Sequence, residues 1–229
     1  MKHKIALLAI AIAGASSLSA QNLDFEHWPV TLGLKAGIPV TQMFSSGTSS
    51  FLSGSNGVNS AGFPGSAYTS SVPRYEFGAS AEFRMPFHLR LEVDGLYKPG
   101  GFNNSLSGSM AGSYQRTRFN QWEIPGVLKY NVSVGHFRPF IDFGASYRHI
   151  STIDQQTSGG FQTAYLDNSS AIRNRNSFGG VAGFGMTFKK GPFELTPEAR
   201  YTRWANSSFS APGLKSNKDQ GDVLLGIAF

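Results

Sequence analysis

Most of the chain alternates apolar and polar side chains with a period of two, which is the pattern of β-strands that bury one face in apolar surroundings. A clear example is residues 74–85, where Phe77 and Phe83 alternate with Glu76 and Glu82. The alternation therefore predicts an all-β protein. Eight runs follow it: residues 30–40, 74–85, 88–98, 118–131, 137–149, 177–188, 193–204 and 221–229.

The connections between the runs alternate between long and short. Long, Gly/Ser/Asn-rich segments cover residues 41–73, 99–117, 150–176 and 205–220, and short ones cover 86–87, 132–136 and 189–192. Each run is long enough for a tilted strand to cross a bilayer. We therefore expect an eight-stranded antiparallel up-and-down transmembrane β-barrel with four long extracellular loops and three short periplasmic turns.

Prolines interrupt four of the runs, at Pro39, Pro125, Pro139 and Pro197. Proline lacks the N–H that a strand ladder uses, so it is found mainly at edges and bulges. We expect bulges or frayed strand ends at these positions.

The first 20 residues have the features of a secretory signal peptide. A basic start at Met1–Lys4 precedes the apolar segment Ile5–Ala15 and small residues up to Ala20. We expect cleavage after Ala20, or after Ser19, and a barrel domain over residues 21–229. The alternative is an N-terminal membrane anchor, but the apolar segment is short for a membrane span.

Charges inside the runs fall on the polar face of each predicted strand. Their balanced signs favour a shared, partly desolvated interior in which ions pair, rather than a water-facing exterior. The alternative is a soluble barrel of the lipocalin type, with the apolar face inside. The residues predicted to form an ion-pair network in the lumen are Lys35, Arg74, Glu76, Glu82, Arg84, Arg90, Glu92, Asp94, Lys98, Glu123, Lys129, Asp142, Arg148, Glu194, Glu198 and Arg200; Arg138 and Asp222 share the same face.

Opposed strands allow two further expectations about the lumen. The bulky polar residues of the second run should face Gly179, Gly183 and Gly185 of the sixth run. Large side chains on one wall would then fill the space that the glycines leave on the opposite wall. Charges of the third and seventh runs, such as Glu92 and Arg200, should pair across the barrel.

The apolar face carries aromatic residues towards both strand ends, as in the interfacial belts of membrane barrels. Only Arg118 and Arg203 bring charge to this face, at the loop ends of their runs. An arginine fork suits phosphate groups, so both residues are predicted to contact lipopolysaccharide. Snorkelling into water without a specific partner is the alternative.

The chain resembles the small eight-stranded outer-membrane barrels of Gram-negative bacteria, such as the outer-membrane protein X type and the transmembrane domain of the outer-membrane protein A type. The most specific motif is the closing alternation that ends on an aromatic residue. The resemblance implies that the outer-membrane assembly machinery recognises this end. The residues expected to carry the signal are Val223, Leu225, Ile227 and Phe229.

Composition narrows the function classes. The absence of cysteine excludes disulfides, thiol catalysis and cysteine-bound metals. The formal net charge is +6, but the sequence contains no basic cluster and no motif of a nucleic-acid-binding protein. We expect no metal and no cofactor, and a monomer whose partners are outer-membrane lipid, lipopolysaccharide and the assembly machinery.

The expected role is a non-enzymatic scaffold with a lumen filled by side chains, which contacts other molecules through its extracellular loops. A narrow porin-like channel is the alternative. His149 and Ser151 resemble the His and Ser, two residues apart, of outer-membrane lipid A deacylases. This resemblance implies a third hypothesis, a lipid A-modifying hydrolase in which the His activates the Ser as a nucleophile. Loop residues expected to be exposed for contact are Phe44, Phe51, Leu52, Phe63, Tyr68, Phe102, Met110, Phe161, Tyr165 and Phe209.

Overall fold

A computed structural model of the chain describes residues 30–41, 43–46, 48–50, 65–70, 74–106, 114–132, 137–159, 162–166, 172–209 and 214–229. The predicted signal peptide lies outside these residues. Within the described ranges no helix is long and apolar enough to cross a membrane. The strands are β1 (Val30–Pro39), β2 (Phe44–Ser46), β3 (Thr48–Ser50), β4 (Gly65–Ser70), β5 (Glu76–Arg84), β6 (Leu89–Leu106), β7 (Tyr114–Asn131), β8 (Phe137–Gly159), β9 (Gln162–Leu166), β10 (Asn176–Lys190), β11 (Phe193–Trp204), β12 (Leu214–Ser216) and β13 (Asp219–Ala228).

Eight of these strands close into an antiparallel barrel in the order β1-β5-β6-β7-β8-β10-β11-β13. Strand β1 closes it, because Leu34 pairs with Ala79 of β5 on one side and with Ile227 of β13 on the other. The predicted all-β barrel is confirmed. We call the end with the tight β5–β6 and β10–β11 connections the turn end, and the opposite end the loop end.

The faces of the strands follow the predicted alternation. In β1 the side chain of Leu34 is 60% exposed, whereas that of the next residue, Lys35, is 3% exposed. Apolar residues therefore point out of the barrel and charged residues point in. Outward apolar side chains with more than half of their surface exposed include Leu34, Ile38, Phe77, Ile141, Phe143, Phe178, Phe184 and Val223.

The prolines do not shift the strand register, so the expected bulges at these positions were wrong. Two ladders leave out two residue pairs each, next to Pro125 between β6 and β7 and next to Pro197 between β10 and β11, and resume in the same register. Pro139 pairs with Met186 without a gap, and only Pro39 ends its strand. The missing N–H removes local hydrogen bonds, but the flanking pairs hold the register.

Three strands extend well beyond their predicted ends. Residues 99–106, 114–117 and 150–159, which the sequence assigns to loops, continue β6, β7 and β8 to 18, 18 and 23 residues. These extensions have no continuous row of apolar residues on one face, so the sequence shows no period-two alternation there. A bulge at Thr152 of β8, where Phe119 pairs with Ile153 and Asn120 with Ser151, lies in this extension.

Candidate functional site

Charged side chains fill the barrel interior in three layers between the turn end and the loop end. The lower layer consists of Glu82, Arg84, Arg90, Arg138 and Glu194; the middle layer of Lys35, Glu92, Asp94, Lys129, Asp142, Glu198 and Arg200; and the upper layer of Glu76, Lys98, Glu123, Arg148 and Asp222.

Lys35 is the centre of the middle layer. Its Nζ donates to Glu92 Oε1 at 2.5 Å, to Asp94 Oδ2 at 3.1 Å and to Glu198 Oε2 at 3.1 Å. All four side chains are almost fully buried. A buried ion is stable only when its charge is paired, and this ammonium has three carboxylate partners from two other strands.

Arg200 and Lys129 complete the middle layer. The guanidinium of Arg200 lies 2.6 Å from Glu198, 2.9 Å from Asp94 and 3.3 Å from Glu92. Lys129 Nζ lies 2.8 Å from Glu92 and 3.3 Å from Glu198. Charges of β6 and β11 are thus paired across the lumen, which links opposite walls of the barrel.

Lys98 holds the upper layer together. Its Nζ lies 2.8 Å from Glu76, 2.8 Å from Glu123 and 3.0 Å from Asp222. These carboxylates come from β5, β7 and β13, so one lysine on β6 connects four strands. Asp222, on the polar face but not among the residues singled out from the sequence, is a full member of this cluster.

The lower layer is partly open to the turn end. Arg90 pairs with Glu82, and its Nη1 lies 3.4 Å from Glu194. Arg138 lies 3.6 Å from the same Glu194. Arg84 donates to the hydroxyl of Thr31 at 3.2 Å.

Arg74, Asp142 and Arg148 were assigned to the network from the sequence but form no ion pair within the described part of the chain, and Arg148 instead contacts the ring of Trp204. Arg74 is exposed at the loop-end rim and donates to the carbonyl of Val40 at 3.4 Å, because it precedes β5 and its long side chain reaches water. Asp142 is buried, yet neither of its carboxylate oxygens has a hydrogen-bond partner within the described part of the chain.

An apolar cluster covers the lumen at the loop end, and we call it the cap. Its aromatic members include Phe44 and Phe209, whose rings lie 5.6 Å apart in edge-to-face contact. Short pairings between β2 and β12 and between Ile172 and Phe209 fold loop segments over the barrel. The cap consists of Phe44, Phe102, Phe119, Ile150, Ile153, Ile172, Phe209 and Leu214.

The cap corrects the expectation that loop apolar residues are exposed for contact. Phe44, Phe102 and Phe209 are each at most 4% exposed, because they pack on one another above the barrel. The side chains of the other predicted contact residues lie outside the described part: Phe51, Leu52, Phe63, Tyr68, Met110, Phe161 and Tyr165.

The space in front of the inward glycines of β10 is filled from the neighbouring strands β8 and β11, not from β5 as expected. A Cβ atom on Gly179 would lie 3.0 Å from the ring of Trp204 of β11. A Cβ atom on Gly183 would lie 2.8 Å from the carboxylate of Asp142, and one on Gly185 would lie 2.5 Å from the ring of Phe140. Both neighbours belong to β8. Adjacent strands are closer than opposite walls, so their side chains reach the vacant space first.

Arg118 and Arg203 are both exposed on the outward face, but they are not its only charges. Arg203 Nη1 lies 3.1 Å from Asp219 Oδ1, and Arg118 is paired in register with the exposed Asp154. The sequence reading missed both acids because β8 and β13 extend further than their alternation indicates.

His149 and Ser151 point outward but do not form a nucleophile–base pair. His149 Nδ1 lies 2.7 Å from Asn176 Oδ1, and the hydroxyl of Ser151 donates to the carbonyl of Asn120 at 3.5 Å. The His is therefore oriented by an amide rather than by a carboxylate. Among the described residues, no group of three or more His, Asp or Glu side chains is arranged to hold a metal ion.

Comparisons with known proteins extend the picture. No protein-family model matches the chain, and no curated protein sequence does either. Among solved structures, the outer membrane protein OprG from Pseudomonas aeruginosa matches with a TM-score of 0.50 at 14% identity, over 87% of this chain and 94% of OprG. This chain has the fold of the small eight-stranded outer-membrane β-barrels.

Two further structures match at lower scores. Neisserial surface protein A gives a TM-score of 0.44 at 15% identity, over 88% of this chain and 96% of that protein. Ail, the attachment invasion locus protein of Yersinia pestis, gives 0.40 at 11% identity, over 88% of this chain and 98% of Ail.

Proposed function

We propose that the protein is an integral outer-membrane barrel of a Gram-negative bacterium that serves as a non-conducting scaffold and presents its loop end to the cell exterior. One observation carries this proposal: ion pairs fill the lumen, and an apolar cap covers it. A filled eight-stranded barrel leaves no continuous aqueous path. Contact with other molecules is then made by the surface segments, which the rigid barrel holds in position.

The outward face supports the membrane location. Side chains such as Leu34, Phe143 and Phe184 expose more than half of their surface on the barrel exterior. An apolar exterior of this extent is unfavourable in water and favourable in lipid. Because each barrel strand is paired on both sides, with gaps only beside Pro125 and Pro197, most of its backbone groups are also satisfied in the absence of water.

Selective labelling of lysines tests the proposed orientation. Lys215 and Lys218 are exposed at the loop end, and Lys190 is exposed at the turn end. In intact cells, a membrane-impermeant amine reagent should modify the first two and spare Lys190. After the outer membrane is permeabilised, all three should react, with peptide mass spectrometry as the readout. Modification of Lys190 alone in intact cells would show that the proposed orientation is reversed. Equal modification of all three lysines in a soluble fraction would exclude a membrane location.

Lipopolysaccharide is the proposed lipid partner of Arg118 and Arg203. Both guanidinium groups lie on the outer surface towards the loop end, and arginine binds phosphate by paired hydrogen bonds. The Arg118→Ala/Arg203→Ala variant should lose the thermal stabilisation that lipopolysaccharide gives the refolded wild type. Equal stabilisation of both proteins would exclude a specific contact and show that these side chains only extend into water at the membrane surface.

A further inference from the structure

The turn end of the barrel contains a cavity that the scaffold role does not use. Its volume is about 220 Å³, and it lies beside the lower layer, three of whose arginines line it. The cavity is large enough for a small anion together with several water molecules. It is lined by Arg84, Met85, His88, Leu89, Arg90, Asn131 and Arg138.

Among the described residues, the charges around this cavity do not balance. Three guanidinium groups line it, and two described carboxylates form ion pairs there: Glu82, which pairs with Arg90, and Glu194, which lies 3.4 Å from Arg90 and 3.6 Å from Arg138. Within the described part of the chain, the lower layer therefore contains one more cation than anions. The side chain of Arg138 is 29% exposed and is the most accessible member of these pairs.

Asn131 adds a hydrogen-bond donor that lacks an acceptor. The residue is 6% exposed, and its Nδ2 has no hydrogen-bond partner within the described part of the chain. Its backbone N–H donates to the carbonyl of His88 at 3.0 Å, which fixes Asn131 against the β5–β6 turn. A buried N–H₂ without a partner is costly, and an anion oxygen in the cavity would satisfy it.

The turn that carries His88 is conformationally unfavourable. Phe87 and His88 have φ angles of 63° and 62°, a region in which residues other than glycine are uncommon. Asn-Gly is the usual solution for such a two-residue hairpin turn. Here the strained position instead places an imidazole at the cavity, where strain often accompanies a binding role.

We propose that this cavity binds a phosphate group, with Arg138 and Asn131 as donors and His88 at the entrance. The guanidinium fork matches phosphate oxygens, and the excess positive charge favours a dianion over chloride. Two sources share this chemistry. One is free inorganic phosphate, and the other is the phosphate of a lipid headgroup in the inner leaflet of the outer membrane. The site is independent of the scaffold role of the loops.

Binding is measured with the full chain in a non-ionic detergent that contains no phosphate. Inorganic phosphate is titrated at constant ionic strength, with chloride as the reference anion, and NMR follows the Asn131 side-chain amide and the His88 ring. Saturable shifts of both groups with phosphate alone are expected. The absence of a saturable shift, or the same shifts with chloride, would overturn the proposal.

Two variants and a control locate the site. Asn131→Asp replaces the donor with a carboxylate of the same size, so the His88 ring reports binding to this variant, and Arg138→Gln removes one charge. Each should weaken phosphate binding about tenfold or more, since a hydrogen bond to a charged group has this effect. Lys215→Gln, at an exposed lysine of the loop end, also removes one positive charge and should bind like the wild type. Heat-dependent gel mobility confirms folding of each variant, and undiminished binding by folded Asn131→Asp and Arg138→Gln contradicts the site.

A second arm distinguishes the two phosphate sources. The same titration is carried out in nanodiscs of phosphatidylglycerol. If a headgroup occupies the cavity, free phosphate shifts the Asn131 and His88 signals in detergent but not in the nanodiscs. If the natural ligand is a free anion, the shifts occur in both.

Discussion

The guanidinium of Arg148 lies 3.6 Å from the centre of the Trp204 ring, at the boundary between the charged upper layer and the apolar cap. Arg148 comes from β8 and Trp204 from β11, and both are at most 3% exposed. The ring shields the cation from the apolar residues above it, while carboxylates lie below. This contact explains how a charged lumen can end directly against an apolar cluster.

The Arg148–Trp204 contact should be energetically coupled. A double-mutant cycle with Arg148→Gln and Trp204→Leu should give a coupling of about 2 kcal/mol, the magnitude of a desolvated cation–π contact. The measurement is the free energy of unfolding in urea, in lipid vesicles. The matched cycle of Arg148→Gln with Trp122→Leu, an outward tryptophan, should be additive within about 0.5 kcal/mol. Similar coupling in both cycles would assign the effect to general destabilisation.

Lys98 should be among the most sensitive positions of the lumen. Lys98→Met leaves three buried carboxylates without their shared cation and should lower the free energy of unfolding by about 3–5 kcal/mol. Lys190→Met, at an exposed lysine of the turn end, should change it by less than about 0.5 kcal/mol. Equal effects of the two substitutions would show that the upper layer is hydrated and its ion pairs are weak.

Much of the barrel could be predicted from the sequence, because outward and inward residues alternate with a strict period. Leu34 and Lys35 are adjacent in the chain, and each lies on its predicted face. The pairing of Glu92 with Arg200 across the lumen was predicted from the opposition of their strands and is present. Most other partners could not be predicted, since they depend on strand tilt and stagger. Lys98 meets Glu76, Glu123 and Asp222 only because of the register that the closed barrel adopts.

The cap was missed for a different reason. Phe102 lies beyond the predicted run 88–98, among polar residues that resemble a loop, and Phe119 lies on the polar face at the start of the run 118–131. The signal available in the sequence was that residues an even number of positions apart share one face of a strand. Phe102 therefore lies on the same face as Lys98, and Trp204 lies on the same face as Arg200. Extending the inward face past residue 98 would have placed Phe102 inside the barrel, and the inward faces of the predicted runs already contained Phe119 and Trp204.

The outward face should not tolerate charge. Leu34→Arg introduces a cation near the middle of β1 and should cost about 2–4 kcal/mol in a reversible folding assay in lipid vesicles. Leu34→Met, which stays apolar, should cost less than about 1.5 kcal/mol. If Leu34→Arg is as stable as the wild type, Leu34 faces water and the membrane assignment is wrong.

Phe229 should matter for assembly rather than for packing. Phe229→Ala should lower the amount of protein in the outer membrane several-fold, since the resemblance to outer-membrane barrels places the assembly signal at this end. Phe193→Ala is the matched control, because Phe193 is also an outward aromatic residue at the turn end, 61% exposed against 56% for Phe229. Comparable losses for both variants at equal expression would indicate a shared interfacial role and no signal.

Conductance across a planar lipid bilayer tests the central claim, that the lumen is closed, most directly. The purified full-length protein should insert without producing discrete current steps, because the paired charges of three layers and the cap above them leave no aqueous path. Insertion is verified independently by heat-dependent mobility of protein recovered from vesicles of the same lipid. Reproducible steps of uniform size from correctly folded wild-type protein would contradict the closed lumen and favour the narrow channel.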